Sequence, residues 1–365
     1  MSSCLLLEII LTPSILANIT SQQWDLLIRQ GRSANLLPLL AHRVVEADRF
    51  EEVPIAPRHH LSAALLVAAQ QDIAMRWEVS CISTALSKEN IPLILLKGAA
   101  YLLAELPLSS GRMFSDVDIL VPKEVLGKAE CALMIHGWRS EKLDVDYQNY
   151  YRRWMHEIPP MRHVERGTYI DVHHAILPET ARIKVNSQLL FETITPVSGS
   201  SNVFVLQPVD MLLHSATHLF HEGELPKGLR DLLDLDALFR DFGEKSDFWE
   251  KLTPRAQALG LLRPLLYAVR YCSELLHTPF PSDFSTSLNA AVKPHQLTLK
   301  IMDFCYRRAL MPMHQSCNTT GTSTARFLLY IRSHWIRMPA PLLIYHLTRK
   351  AFFSRRKKQQ ETAAL

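Results

Sequence analysis

Glycine is scarce in this 365-residue chain: 12 residues with no repeating period, which excludes collagen-like and fibrous repeats. Six cysteines (Cys4, Cys81, Cys131, Cys272, Cys305, Cys317) lie far apart and form no CxxC pair. That spacing argues against a disulfide-stapled secreted module and favours reduced thiols. No uncharged apolar run reaches the roughly 18 residues a spanning helix needs. The longest candidate, IPLILLKGAAYLLAELPL, carries Lys97 and Glu105. The opening MSSCLLLEIIL lacks basic residues, and Glu8 interrupts its apolar run, so a signal peptide is not expected. These absences predict a cytoplasmic protein.

Acidic residues are missing from one stretch. Residues 326–360 hold nine Lys or Arg and no Asp or Glu. Taking those nine from the chain's 40 basic residues leaves 31 against 36 acidic ones. A mildly acidic body therefore carries a basic tail, of a kind that either stays solvated or meets an anionic surface. With 48% hydrophobic and 21% charged residues the chain is not disordered, and its length accommodates two or three domains.

The texture changes twice along the chain. Residues 1–88 read as helical: a helix start lies near Ser21, and LSAALLVAAQQDIAMRWEVSCISTALSKEN is long and free of Gly and Pro. Residues 89–206 mix strand and helix. IPLILLKG reads as a buried strand turning into a helix at Gly98, while SDVDILVP and TYIDVHHAIL alternate as strands do. Residues 123–136 look helical, and NVFVLQP is a further short strand. From Pro208 the pattern is helical again, in VDMLLHSATHLFHEG, RDLLDLDALFRDF and RAQALGLLRPLLYAVRYCSELL, whereas HQSCNTTGTSTA (314–325) has the composition of an exposed loop. The expected organisation is α+β: a small mixed-sheet core (89–206), an N-terminal helical region (1–88), a C-terminal helical domain (207–325) and a basic amphipathic tail (326–365).

Three Asp-x-Asp pairs occur, and local structure separates them. On a strand, residues i and i+2 share a face, so Asp116 and Asp118 can converge on one cation while Val117, Ile119 and Val121 pack behind them. Asp234 and Asp236 fall in a helical pattern, where i and i+2 diverge. Asp144 and Asp146 read as loop. Two parallel carboxylates raise each other's proton affinity unless a cation compensates them. Mg²⁺ or Mn²⁺ suits such oxygen ligands together with substrate phosphates. Asp171, in strand texture, is the candidate third carboxylate. Lys97 and Gly98 end a strand where phosphate can be held, and Arg112 stands four residues before Asp116. Ser115 adjoins the pair, and His173 shares Asp171's face, from which it can contact phosphate or orient the ligand.

LLKG-A, then R-x₃-D-x-D-I-L-V, then an acidic-x-His strand resembles the uncharacterised nucleotidyltransferase family of the polymerase β-like superfamily, over roughly residues 20–350. Leu95, Leu96, Lys97 and Gly98 match its strand-end motif, Arg112, Asp116 and Asp118 its metal strand, and Asp171 and His173 its third-carboxylate strand. His214, His218, Arg230, Asp231 and Asp234 resemble its later helical pattern. Two positions depart from it: Ala99 where a second Gly or a Ser is common, and His174 where an aromatic residue is frequent. The resemblance implies a nucleotidyltransferase core and transfer of a nucleoside monophosphate from an NTP donor by two metals. Asp116, Asp118 and Asp171 would hold one ion and Asp116 and Asp118 the other, with Lys97, Gly98 and Arg112 positioning phosphates.

Rival readings are an inactive nucleotide-binding or interaction module on the same fold, and a glycosyltransferase, which would follow a longer nucleotide-binding α/β unit. His214, His218 and His221 share a helix face at zinc-compatible spacing but lack an HExxH motif, so packing is the better expectation. YQNYYRRW (147–154) interleaves aromatic and basic residues and is a candidate acceptor or lid element, the one place that admits nucleic acid. The segment PAPLLIYHLTRKAFFSRRKK can lie on anionic lipid or dock its apolar stripe on the protein. The acceptor stays open.

Overall fold

A computed structural model describes residues 4–141, 144–245 and 247–338. All of its strands lie between residues 93 and 206: β1 (Leu93–Leu95), β2 (Asp116–Leu120), β3 (Trp138–Ser140), β4 (Met161–His163), β5 (Tyr169–His173), β6 (Ile194–Pro196) and β7 (Val203–Leu206). They form one mixed sheet in the order β3-β4-β5-β2-β1-β7-β6. The fold is α+β, with helices before, within and after this sheet. β1 pairs antiparallel with β2 and parallel with β7, and β2 pairs parallel with β5. The central strands are apolar because both sheet faces are covered: Leu93, Ile94 and Leu95 have no exposed surface.

The N-terminal helices form where capping and amphipathicity agree. Thr20 and Gln23 make a reciprocal capping box at the start of the helix Ser21–Ser33. The 33-residue helix Ile55–Ser87 joins two cores. Its Leu61 packs with Leu27, Leu40 and Val44, whereas Met75, Val79 and Ile82 face the sheet core. Leu229 and Cys317 belong to the first of these clusters, so the N-terminal helices pack directly on C-terminal elements.

Three local expectations are corrected. Asp146 is not in a loop but in the helix Val145–Trp154, which Asp144 precedes and caps: the Asp144 carboxylate accepts from the Tyr147 amide at 2.8 Å. The stretch 314–325 is not wholly exposed. The Cys317 thiol meets the Cys4 thiol at 3.5 Å, and Ser316 accepts from Gln30, so a polar segment is drawn inward by long-range partners. Thr322 already begins a helix that runs to Arg337 and packs on the helices Gln296–Ala309 and Pro208–His221. RAQALGLLRPLLYAVRYCSELL is two helices, Phe248–Ala258 and Leu262–Leu276, because Gly260 takes a left-handed φ of +74° between them. The segment 339–365, with its amphipathic stripe, lies outside the described residues.

One ion pair ties the sheet domain to the C-terminal helices. Arg112 donates from Nε and Nη2 to Asp234 Oδ2 at 3.1 and 2.9 Å, and both side chains are about nine-tenths buried. Asp236, two residues on, instead accepts from Arg240 and Thr278, the divergence a helix imposes. Asp234→Ala would strand a buried guanidinium and should cost about 3–5 kcal/mol in urea denaturation. Replacing both partners, Arg112→Met with Asp234→Leu, should recover most of that loss. Asp25→Ala, which breaks an exposed pair with Arg29, should stay within about 0.5 kcal/mol of the parent.

Candidate active site

Register brings the carboxylates together. In the parallel β2–β5 ladder Asp118 stands opposite Asp171, and Asp116 opposite Tyr169. Paired residues of parallel strands project to the same side, so Asp116, Asp118, Asp171 and His173 share one face of the sheet. That face is a wall of a cavity of about 460 Å³. Lys97, Gly98, Arg112, Ser115, Asp116, Asp118, Asp171 and His173 all line it. The opposite wall comes from the helix Pro208–His221, through His218, and from Lys227, Arg230 and Asp231 at the start of the helix Gly228–Gly243.

Asp118 is the most constrained of the carboxylates. Its Oδ1 accepts from Lys97 Nζ at 2.8 Å and lies 3.1 Å from His173 Nε2. Burial opposes its charge, but Lys97 and His173 outweigh it and hold the carboxyl well below the usual range. His173 Nδ1 lies 3.3 Å from Glu157 Oε2, so the imidazole bridges two carboxylates. Although burial works against the imidazolium, these two partners raise the proton affinity of His173. Asp171 is pushed up to about 7, by burial first and then by the charges of Asp118 and Glu157. Ser115 donates to Asp116 Oδ1 at 2.7 Å and accepts from Lys227 at 3.4 Å.

Backbone geometry at the β1 end explains the Lys-Gly step. Leu96 donates to the Asp118 carbonyl, which ties the turn to β2. Lys97 opens its helix with a left-handed φ of +48°, a strained conformation for a residue with a side chain. A Cβ at Gly98 would stand 2.4 Å from Arg112 Nη1 and 2.9 Å from the Phe114 ring. Gly98 is therefore required for Arg112 to pass. The Arg112 guanidinium reaches the cavity wall, but its hydrogen bonds go to Asp234 and it lies over the Tyr101 ring.

The donor set suits a hard divalent cation: carboxylates on one face, with the Lys97 ammonium against Asp118 where positive charge is called for. Among the described residues the trio of ligand atoms lying within 4.8 Å of one another belongs to His156, Glu157 and His173. The three aspartates are not gathered that tightly, in keeping with the repulsion of like charges. Both His173 nitrogens already face carboxylates, so that trio reads as a charge bridge behind Asp118. His214, His218 and His221 form no such group among the described residues.

Sequence reasoning missed Glu157 and His156, which reach the site through an isolated bridge between Glu157 and His173 in β5. Nothing local in MHEIPP announces that pairing. Lys227 did carry a signal. A lysine at the N-terminal end of a helix opposes the helix dipole, which favours anions there. Arg337, paired with Glu222, also lines the cavity.

A model of the uncharacterised nucleotidyltransferase family matches residues 20–277, more than half of the chain. The chain belongs to that family. No curated relative and no solved structure matches it. Among the described residues, no helix is long and apolar enough to cross a membrane.

Burial holds His214 and His221 neutral down to about pH 3, aided by Lys97 near the first and Arg332 near the second. Unfolding frees both to protonate near pH 6.5, so the unfolded state binds more protons below that value. Stability should therefore fall as pH drops from 6.5 towards 3, by at most about 1.4 kcal/mol per unit for each histidine. His214→Gln should flatten this slope in urea denaturation at pH 7.0 and 5.0 in the presence of EDTA.

Proposed function

We propose that this chain is a metal-dependent nucleotidyltransferase that moves a nucleoside monophosphate from an NTP to a hydroxyl or phosphate acceptor. One observation carries the reading. Asp116, Asp118 and Asp171 line the same cavity as Lys97, Lys227 and Arg230, so anionic ligands for a cation face cationic groups for a triphosphate.

Asp116, Asp118 and Asp171 would hold Mg²⁺ or Mn²⁺, Asp171 contributing to one ion and the other two residues to both. The ions would lower the charge barrier at the α-phosphate and favour the alkoxide form of the acceptor. The remaining chemistry falls to the chain's own groups. Gly98, lacking a Cβ, leaves room for Arg112 and Phe114 beside the strand end, and Lys97 sits at that end. Lys227 takes up charge as the bond between the α-phosphorus and pyrophosphate breaks and the bond to the acceptor oxygen forms, while Arg230 adds its charge to that wall with its Nε and Nη2 donating to Asp231. Of the two carboxylate oxygens of Asp171, the one that would not hold the ion can receive the hydroxyl proton. His173, fixed between Asp118 and Glu157, keeps the Asp118 carboxylate turned to the cavity. Arg112 acts as a strut from behind, because Asp234 takes its hydrogen bonds.

The free cysteines support placing this activity in the cytoplasm. Peripheral membrane contact through residues 339–365 is a separate proposal. Removing them should leave the nucleotide site intact and weaken binding to anionic vesicles.

The test is binding of each labelled NTP with Mg²⁺ or Mn²⁺, and pyrophosphate release, in the parent and in Asp116→Asn/Asp118→Asn. Metal-dependent binding should weaken and turnover should fall at least 100-fold in the double variant. Folded protein that binds no NTP with either ion would overturn the reading and leave the inactive-module alternative. Lys227→Ala should raise the NTP Kd about tenfold without changing the fold, as loss of one charge-assisted phosphate contact does.

A further inference from the structure

The helix Ile55–Ser87 is apolar nearly all round. Of its 33 residues only Arg58, Asp72, Arg76 and Glu78 are acidic or strongly basic. A helix of that composition is ordinarily buried on every side. Here one side is covered, because Leu61, Met75, Val79 and Ile82 lie in the two cores. The other side faces outwards: Ile55, Leu66 and Ile73 are 69–71% exposed and Trp77 is 63% exposed, with Val67 beside them.

The outward residues keep a heptad spacing. Leu66, Gln70, Ile73 and Trp77 follow at intervals of four, three and four, and Ala63 precedes Leu66 by three. Positions at that repeat form one seam along a helix, the seam through which two helices pair. None of the four charged residues stands on it. Arg58 pairs with Glu51 and Glu78 with Arg166. Arg76, at the flank, donates to the Leu102 carbonyl at 3.2 Å, and Asp72 is two residues on from Gln70, which turns it to another side of the helix.

We propose that this seam pairs with the same seam of a second copy of the chain, helix against helix about a two-fold axis. A two-fold contact sets a patch against itself, and a seam without charge meets no like charge there. Gln70, in the middle of the apolar positions, is the kind of polar seam residue that fixes the register of a pair. The five large side chains expose on the order of 600 Å² and lie along about 33 Å of helix. Two copies would bury on the order of 1,200 Å² through them, the lower end of the range for specific interfaces. A lipid surface instead favours lysines and arginines rimming an apolar face, and the two arginines of this helix already donate to the Val53 and Leu102 carbonyls. The pairing also reaches the first cavity. Gln71 accepts from the Phe114 amide at 2.9 Å, and Phe114 lines that cavity, so each copy would brace a wall of its own site on its partner.

The experiment measures the mass of the full chain in solution by light scattering, at about 2 and about 100 µM. The parent should have the mass of two chains at the higher concentration. Ile73→Glu and Trp77→Glu should have the mass of one, with unchanged circular dichroism, since both positions face solvent in a single copy. Hydroxyl-radical footprinting of the parent gives a readout that needs no variant. Oxidation of Ile73 and Trp77 should rise at least threefold on dilution, while that of Trp335, exposed on another helix, stays constant. A parent of one-chain mass at the higher concentration overturns the pairing, as does a two-chain mass kept by both folded variants or Trp77 oxidation indifferent to dilution. In a one-chain parent, vesicle binding lost in Ile73→Glu would give the seam to lipid, and a two-chain mass gained on removing residues 339–365 would show that the chain's own end covers it. The inference stands apart from the transferase reading, and neither readout involves NTP.

Discussion

Everything at this site depends on keeping Asp118 ionised inside the protein. Its carboxylate stands opposite Asp171 in the parallel pairing of β2 and β5, and burial alone would push both towards the neutral acid. Lys97 and His173 resolve the conflict for Asp118 by approaching the same oxygen, with Glu157 behind the imidazole. Asp171 is pushed the other way by burial and by the charges of Asp118 and Glu157, and it carries the raised proton affinity that Asp118 escapes. One face of the sheet thus holds two carboxylates of different proton affinity, set by neighbours and not by residue type.

The same constraint explains the strained and close-packed elements around it. Lys97 accepts a left-handed backbone at the end of β1, where its ammonium meets Asp118. Gly98 follows because a Cβ there would meet Arg112 and Phe114. Arg112 in turn reaches across to Asp234, which brings the helix Gly228–Gly243 over the sheet and with it Lys227 and Arg230. A buried ion pair of this kind contributes less to net stability than to fixing one arrangement of the two walls. The cavity is therefore shaped by the groups that hold its charge in balance.

Much of this was legible in the sequence, and the reasons are local. Alternation in SDVDILVP and TYIDVHHAIL identified the strands that carry the aspartates, and a long Gly- and Pro-free run identified the helix Ile55–Ser87. Strands β3, β4 and β6 escaped notice because each is three residues long and partly polar or exposed, whereas β1, equally short, is wholly apolar. Asp144 looked like loop because its capping role depends only on where the next helix begins. The burial of Cys317 depends on Cys4 and Gln30, almost the whole chain away.

Residue type and spacing by themselves determined which side chains can share a strand face, which Asp-x-Asp pair is able to act together, and that the core is mixed and flanked by helices. These follow from periods of two and 3.6 residues, which any segment carries within itself. Tertiary structure alone decided that Asp118 meets Asp171, that Glu157 stands behind His173, and that Arg112 belongs to Asp234. It also decided that Asp116 and Asp171 line two cavities. Those facts depend on strand register and on contacts between residues from 16 to more than a hundred positions apart, and no local period encodes them.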